Sequence, residues 1–367
     1  MKVPLLDLHA QNDPILDAIR NRFDNIFKSH RYILGPEVNE IEEKIADYCK
    51  SKHAIGCASG TDALILALKA LKVGKGDEVI TTPFTFFATA GSVHRVGAKP
   101  VFADIKRDTF NLDPEQIEQA ITDKTKAVIV VHLFGQPAEM DKIMNIAKKH
   151  NLRIIEDNAQ GIGSKFKDKI AGTLGDIGTL SFFPSKNLGA MGDAGMCLTE
   201  DKELAQRLKQ LRVHGENPKY YHKWVGLNSR LDTLQAAVLL TKLPHLQKWS
   251  EMRRKNADYY FKHLQDINEI ELPYIDERAE SIFNQFTLKV EKRNELLNYL
   301  RNNNIGSAIY YPRSLHLQEC FAYLNYKQGD LPVSEEVSEQ VISIPIYSEL
   351  TNEQQDYVIK KIKELDK

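Results

Sequence analysis

Two segments of this 367-residue chain carry side chains of the right kind and spacing for covalent chemistry. IIEDNAQGIG is an apolar run that ends in an acid, Asp157, with Gln160 shortly after. SFFPSKNLGAMGDAG sets one lysine, Lys186, between a Pro-Ser turn and a glycine-rich stretch. An amine that forms a Schiff base and a carboxylate that pairs with a protonated ring nitrogen are what pyridoxal phosphate demands of a protein. The amine must be neutral to attack, and desolvation or nearby positive charge lowers a lysine's pKa. Most lysines serve solubility, but exposed ones rarely sit in a setting as apolar and glycine-rich as SFFPS and NLGAMGDAG.

Asp157 closes the predicted strand LRIIED, at the carboxyl edge where open α/β sheets bind ligands. The same acid would also serve as a simple turn cap. Glu156 is its rival, but strand alternation sends the two to opposite faces. CASGTDAL places Ser59, Gly60 and Thr61 between a strand and a helix. Ser59 and Asp62 make a capping-box-like start. A helix N-terminus seats phosphate through its free amides, although most such turns only cap. Ser181 and Ser185 flank the lysine and offer further hydroxyls. TTPFTFFATA supplies Phe84, Phe86 and Phe87, of which one would stack on a cofactor ring and two would pack inside.

These residues need a frame that brings strand ends together. Apolar runs alternate with helical periodicities up to about residue 200. Strands are expected at 54–59, 78–82, 100–105, 127–133 and 152–157, with helices at 61–71, 86–96, after Asp113, and at 139–150. This alternation predicts an α/β fold with a mostly parallel sheet between helices. Runs such as AVIVV, apolar at every position, suit strands covered on both faces. The pattern changes near residue 245. A helix over Leu246–Leu264, a strand in IFNQFTLKV, a helix ending at Gly306 and an amphipathic C-terminal helix describe a smaller α+β domain. The expected division is a large domain over 1–244, with an N-terminal helical segment, and a small domain over 245–367. The stretch after Lys186 reads as a mobile loop.

Charge is balanced, with 49 Lys plus Arg against 50 Asp plus Glu, which gives no global pull toward nucleic acid or a membrane surface. Four cysteines without metal-ligand spacing read as reduced thiols of a cytoplasmic protein, and no metal is expected. The N-terminus lacks a signal-peptide pattern, and no apolar run is long enough to span a bilayer.

Taken together, S-G-T-D-A-L, T-P-F-T-F-F-A-T, E-D-N-A-Q, S-F-F-P-S-K-N-L-G and G-L-N-S-R-L-D occur here in the order and spacing of a known family. The chain resembles, over nearly its whole length, the PLP-dependent nucleotide-sugar aminotransferases of the DegT/DnrJ/StrS group. That resemblance implies the fold-type I architecture of aspartate aminotransferase and a homodimer with shared active sites. It implies Lys186 as the Schiff-base lysine, Asp157 as the pyridinium partner and Gln160 near the ring hydroxyl. Gly60, Thr61 and Ser181 match the phosphate cradle and Phe86 the stacking aromatic. Asn228 resembles an asparagine that reaches the phosphate from the neighbouring subunit, and Tyr311 and His316 fall in the segment shaping the sugar pocket. The implied reaction is a ping-pong amino transfer from L-glutamate, leaving 2-oxoglutarate, to a nucleotide-linked keto sugar. The S-K-N-L-G-A-x-G-D loop is similar to members acting on 3-keto sugars, with Ala194 where many relatives carry glycine. A 4-keto substrate is the alternative. A dehydratase would carry histidine in place of Lys186. A non-enzymatic regulator on the same fold would not need the intact lysine, acid and glutamine. A nicotinamide enzyme would need a GxGxxG that is missing after the first strand.

Overall fold

The computed structural model describes residues 1–365. Five strands, β1 (His53–Cys57), β2 (Glu78–Thr81), β3 (Lys99–Phe102), β4 (Thr125–Val131) and β5 (Arg153–Asp157), join strands Ile177–Ser181 and Gly195–Thr199 in one seven-stranded sheet. The order across it is β1, Gly195–Thr199, Ile177–Ser181, β5, β4, β2, β3. β3, β2, β4, β5 and Ile177–Ser181 run parallel, and only Gly195–Thr199 runs against its neighbours. This is the expected α/β fold, a large, mostly parallel sheet flanked by helices.

The strands form where the sequence is apolar on both faces. Ala127 to Val131 of β4 are all buried, which a strand tolerates when helices cover the sheet on each side. The helix Gly60–Ala70 packs against the sheet so closely that its Ala63–Leu68 run is wholly buried. β1, β5 and Ile177–Ser181 point the same way, so their carboxyl ends lie along one edge. Gly195 stands opposite both Cys57 and Ser181 in the register. Asp157, Ser181 and the turn after Cys57 therefore reach the same side of the sheet.

A second core surrounds a three-stranded antiparallel sheet of Ile270–Glu271, Phe286–Val290 and Val341–Ile344. Helices Leu246–Leu264, Arg293–Asn302 and Asn352–Leu365 supply Tyr260, Leu300 and Val358 to it. No described helix is long and apolar enough to cross a membrane.

Two expectations change. The stretch after Lys186 is packed rather than loose. Asn187 to Ala190 are buried, and a Cβ on Gly189 would lie 2.3 Å from the Pro184 carbonyl oxygen. Its end, Gly195–Thr199, is the antiparallel strand, drawn into the sheet by the buried Met196, Cys197 and Leu198. The helix expected to stop at Gly306 ends instead at Asn302. Asn304 takes the left-handed turn (φ 58°) that glycine was expected to provide. Gly306 lies against the N-terminal segment, its amide donating to the Val3 carbonyl at 2.7 Å.

Candidate active site

Lys186 sits on the turn that follows strand Ile177–Ser181. Its amide closes the turn on the Phe183 carbonyl at 2.8 Å. The Ala190 amide donates to Phe182, and the Phe182 amide to Ala194, so the turn is pinned on both sides. Burial brings the Lys186 amine down to about 8, against the opposing pull of the Asp157 charge. Among the described residues this amine is in none of the ion pairs and donates none of the hydrogen bonds.

Asp157 ends β5 and is 5% exposed. One carboxylate oxygen accepts the Thr89 hydroxyl at 2.8 Å and the other the Ala159 amide at 3.3 Å. Burial pushes this carboxyl up, and those two donors, Lys186 and His132 pull it back. Desolvation thus holds both members of the lysine–acid pair toward their neutral forms.

Glu156 points to the opposite face, fully buried. Its carboxylate accepts from His132 Nε2 at 2.8 Å and from the amides of Gly172, Leu174 and Gly175 at 2.8, 2.7 and 2.6 Å. The Ala138 amide donates to His132 Nδ1 at 3.2 Å, so the ring proton lies on Nε2. Two adjacent acids have separated duties: Glu156 ties down a turn, and Asp157 faces the lysine.

Gln160 is clamped by the Phe134 amide, which donates to its Oε1 at 2.7 Å. Its Nε2 is thereby aimed at the Tyr311 hydroxyl, 3.1 Å away. Burial pushes the Tyr311 phenol far up, with Asp157 adding to the effect. The three phenylalanines sort themselves by packing. Phe84 is fully buried among Phe110, Phe134 and Tyr311. Phe87 stacks on Phe321 at 5.6 Å. Phe86 is 59% exposed with its ring 6.4 Å from Tyr311, which leaves it free to cover a ligand.

The Ser59 hydroxyl caps helix Gly60–Ala70 by accepting the Asp62 amide at 3.1 Å. The amides of Gly60 and Thr61, ahead of that bond, are left without intrahelical partners, as at any helix start. Gly60 lies against Ser181, where a Cβ would come within 2.7 Å of the serine Cβ. A Cβ on Gly195 would meet the Ser59 carbonyl carbon at 2.3 Å. Free amides, a serine hydroxyl and glycines that keep side chains out suit a phosphate. With an unpaired buried amine and a buried carboxylate beside it, the donor set fits pyridoxal phosphate.

Two predicted residues stand apart. Asn228 is exposed on a surface segment bridged to Val213, next to Ser229, whose hydroxyl accepts the Ala58 amide at 3.3 Å. His316 is 1% exposed, bonded to Glu335 at 3.0 Å and packed on Phe102 and Tyr326. None of these contacts is with the lysine–acid pair. Sequence reasoning missed Thr89 and His132. The only signal was a hydroxyl three residues after Phe86 and a histidine at the carboxyl end of β4.

A model of the DegT/DnrJ/EryC1/StrS aminotransferase family matches residues 14–363. The chain is 50% identical to the pleiotropic regulatory protein of Geobacillus stearothermophilus, over 99% of this chain and 98% of that one. It is 45% identical to the UDP-N-acetyl-3-dehydro-alpha-D-glucosamine 3-aminotransferase of Acidithiobacillus ferrooxidans, over 96% and 95% of the two chains. The crystal structure of S. venezuelae DesV in complex with a ketimine intermediate superposes with a TM-score of 0.98 at 39% identity, covering 100% of this chain and 99% of that one.

Proposed function

The chain belongs to the DegT/DnrJ/EryC1/StrS aminotransferase family, whose cofactor is pyridoxal phosphate, and we propose that it aminates C3 of a UDP- or dTDP-linked 3-keto hexose. L-glutamate is the amino donor and 2-oxoglutarate the by-product. The enzyme works in the cytoplasm, and its product is a 3-amino sugar for a cell-surface glycan such as O-antigen, or for a natural product. The observation that carries the reading is the unpaired, desolvated Lys186 amine beside the buried Asp157 carboxylate at the carboxyl edge of the sheet. The 3-aminotransferase relative from A. ferrooxidans supports the choice of carbon.

When bound, the cofactor supplies an electron sink for a carbanion. Each residue's part follows from its place. The amides of Gly60 and Thr61 and the Ser181 hydroxyl hold the phosphate at the helix start. The Asp157 carboxylate keeps the ring nitrogen protonated, as a charge-assisted hydrogen bond does. Gln160 bonds the ring hydroxyl, and Phe86 covers one ring face against water. Lys186 would hold the cofactor covalently, and its free amine would move a proton at the substrate carbon, a task for an amine whose pKa is near the working pH. Tyr311, held by Gln160, shapes the sugar side, while His316 is packed inside behind it against Glu335.

Incubation with glutamate and 3-keto or 4-keto nucleotide sugars, followed by NMR of the product, is expected to place the new amine on C3. An amine at C4 would refute the regiochemistry. The shared homodimer site rests on Asn228, exposed and apart from the other candidates within one subunit. Co-expressed Lys186→Ala and Asn228→Ala subunits should recover about a quarter of wild-type activity in mixed dimers, each with one intact site. Mixtures that stay dead would remove the partner subunit's Asn228 from the site.

A further inference from the structure

The hydrogen bond from Thr89 to Asp157 has no part in the reaction described so far. Thr89 lies in helix Ala88–Arg95, and both it and Thr85 are buried, at 1% and 3% exposure. The Thr89 hydroxyl lies 2.8 Å from Asp157 Oδ2 and 3.3 Å from the Thr85 hydroxyl. An ionised carboxylate only accepts, so the Thr89 proton points to Asp157. The Thr85 hydroxyl is then left to donate to Thr89. The result is a short relay, closed off from water, that ends on the acid.

The other groups facing Asp157 act differently. The Ala159 amide donates to Oδ1 at the longer distance of 3.3 Å. Lys186 and His132 pull its pKa down without a hydrogen bond to it, Tyr311 faces it as a neutral phenol, and Glu156 points to the other face. Thr89 is therefore the one side chain among the described residues that is hydrogen-bonded to this carboxylate. A hydrogen bond to a buried ion favours its charged form, most strongly where water is excluded.

We propose that Thr89 is a positioning residue that sets the basicity of Asp157, and through it how firmly the cofactor's ring nitrogen keeps its proton. The proposal rests on Asp157 being the partner of that nitrogen. Without the Thr89 donor the carboxylate becomes more basic and draws the shared proton toward itself. The ring then carries less positive charge, and the bond between Lys186 and the cofactor holds its own proton to higher pH.

The test is a spectroscopic pH titration of holoenzyme for wild type, Thr89→Val and Thr89→Ser. Valine keeps the shape and removes the donor, while serine keeps the donor. The absorbance midpoint of Thr89→Val is expected to lie above that of wild type. Its half-reaction with glutamate should slow about tenfold, the size of one lost hydrogen bond to a charged group. KM for the nucleotide sugar should not move, and Thr89→Ser should restore the wild-type midpoint. If the valine variant does not fold, Thr89→Ala against Thr89→Ser gives the same comparison. Donor-less and donor-bearing variants with equal midpoints and equal half-reaction rates would overturn the proposal. A wild type that takes up no cofactor would instead refute the function proposed above.

Discussion

Lys186→Ala is expected to lower the rate of amino transfer by about a thousandfold or more, near the upper range for removing a positioned acid–base group. The alanine variant has no amine to carry the cofactor and none to move the proton. Borohydride reduction followed by mass spectrometry should find covalently fixed cofactor in wild type and none in the variant. A fully active alanine variant would sink the assignment. The lowered pKa adds a dependence on pH. With the amine at about 8, about a tenth is neutral at pH 7, whereas an ordinary lysine would be about one part in three thousand neutral. Cofactor uptake by stripped protein should therefore rise about tenfold per pH unit and level off above about 8. The sign for stability follows from the same shift. The folded pKa lies below the unfolded one, so the charged amine costs stability at neutral pH. That cost fades as pH climbs from about 8 into the ordinary lysine range. An uptake rate that keeps rising about tenfold per unit beyond pH 8, into the ordinary lysine range, would mean that the amine is not desolvated.

Much of this was legible in the chain because the relevant signals are local. Strand β5 could be placed from the Ile154–Ile155 pair and its fit to the alternating pattern, and its last residue, Asp157, followed. The cap at Ser59 could be read from three residues. Packing over long sequence distances was not legible. Nothing near Lys186 says that Gly195 will stand between Cys57 and Ser181, because that depends on an antiparallel strand entering a parallel sheet. The glycines there are required by close backbone approach, and their density in the sequence looks the same as that of a mobile loop. Thr89 was invisible for a similar reason: its partner lies 68 residues away. The roles of Phe84, Phe86 and Phe87 differ only through what packs on each. The carboxylates at 156 and 157 could be told apart from strand alternation alone, and that distinction is the one with the sharpest consequences.

Asp157→Asn is expected to cost about a hundred- to a thousandfold in the rate of substrate deprotonation, similar to losing one preorganised electrostatic contact at a reacting centre. An amide keeps the shape but cannot hold a proton on the ring nitrogen by charge, so the sink for electrons weakens. It also turns one of its two positions into a donor, in conflict with either the Thr89 hydroxyl or the Ala159 amide. Folding should suffer little, since burial already pushes the acid toward its neutral form and a neutral amide avoids that desolvation. Glu156→Gln should behave in the opposite way. The Glu156 carboxylate accepts four hydrogen bonds, and glutamine's single oxygen cannot accept them all while its NH2 faces other donors. A loss of about 2–3 kcal/mol of stability is expected there, the range for leaving buried donors unmatched. Turnover of Glu156→Gln should remain near wild type well below its melting temperature. Thermal melts and single-turnover kinetics on the two variants check both arms. If Asp157→Asn loses stability and keeps its rate, while Glu156→Gln loses its rate and keeps its stability, the two acids have been assigned to the wrong faces of the strand.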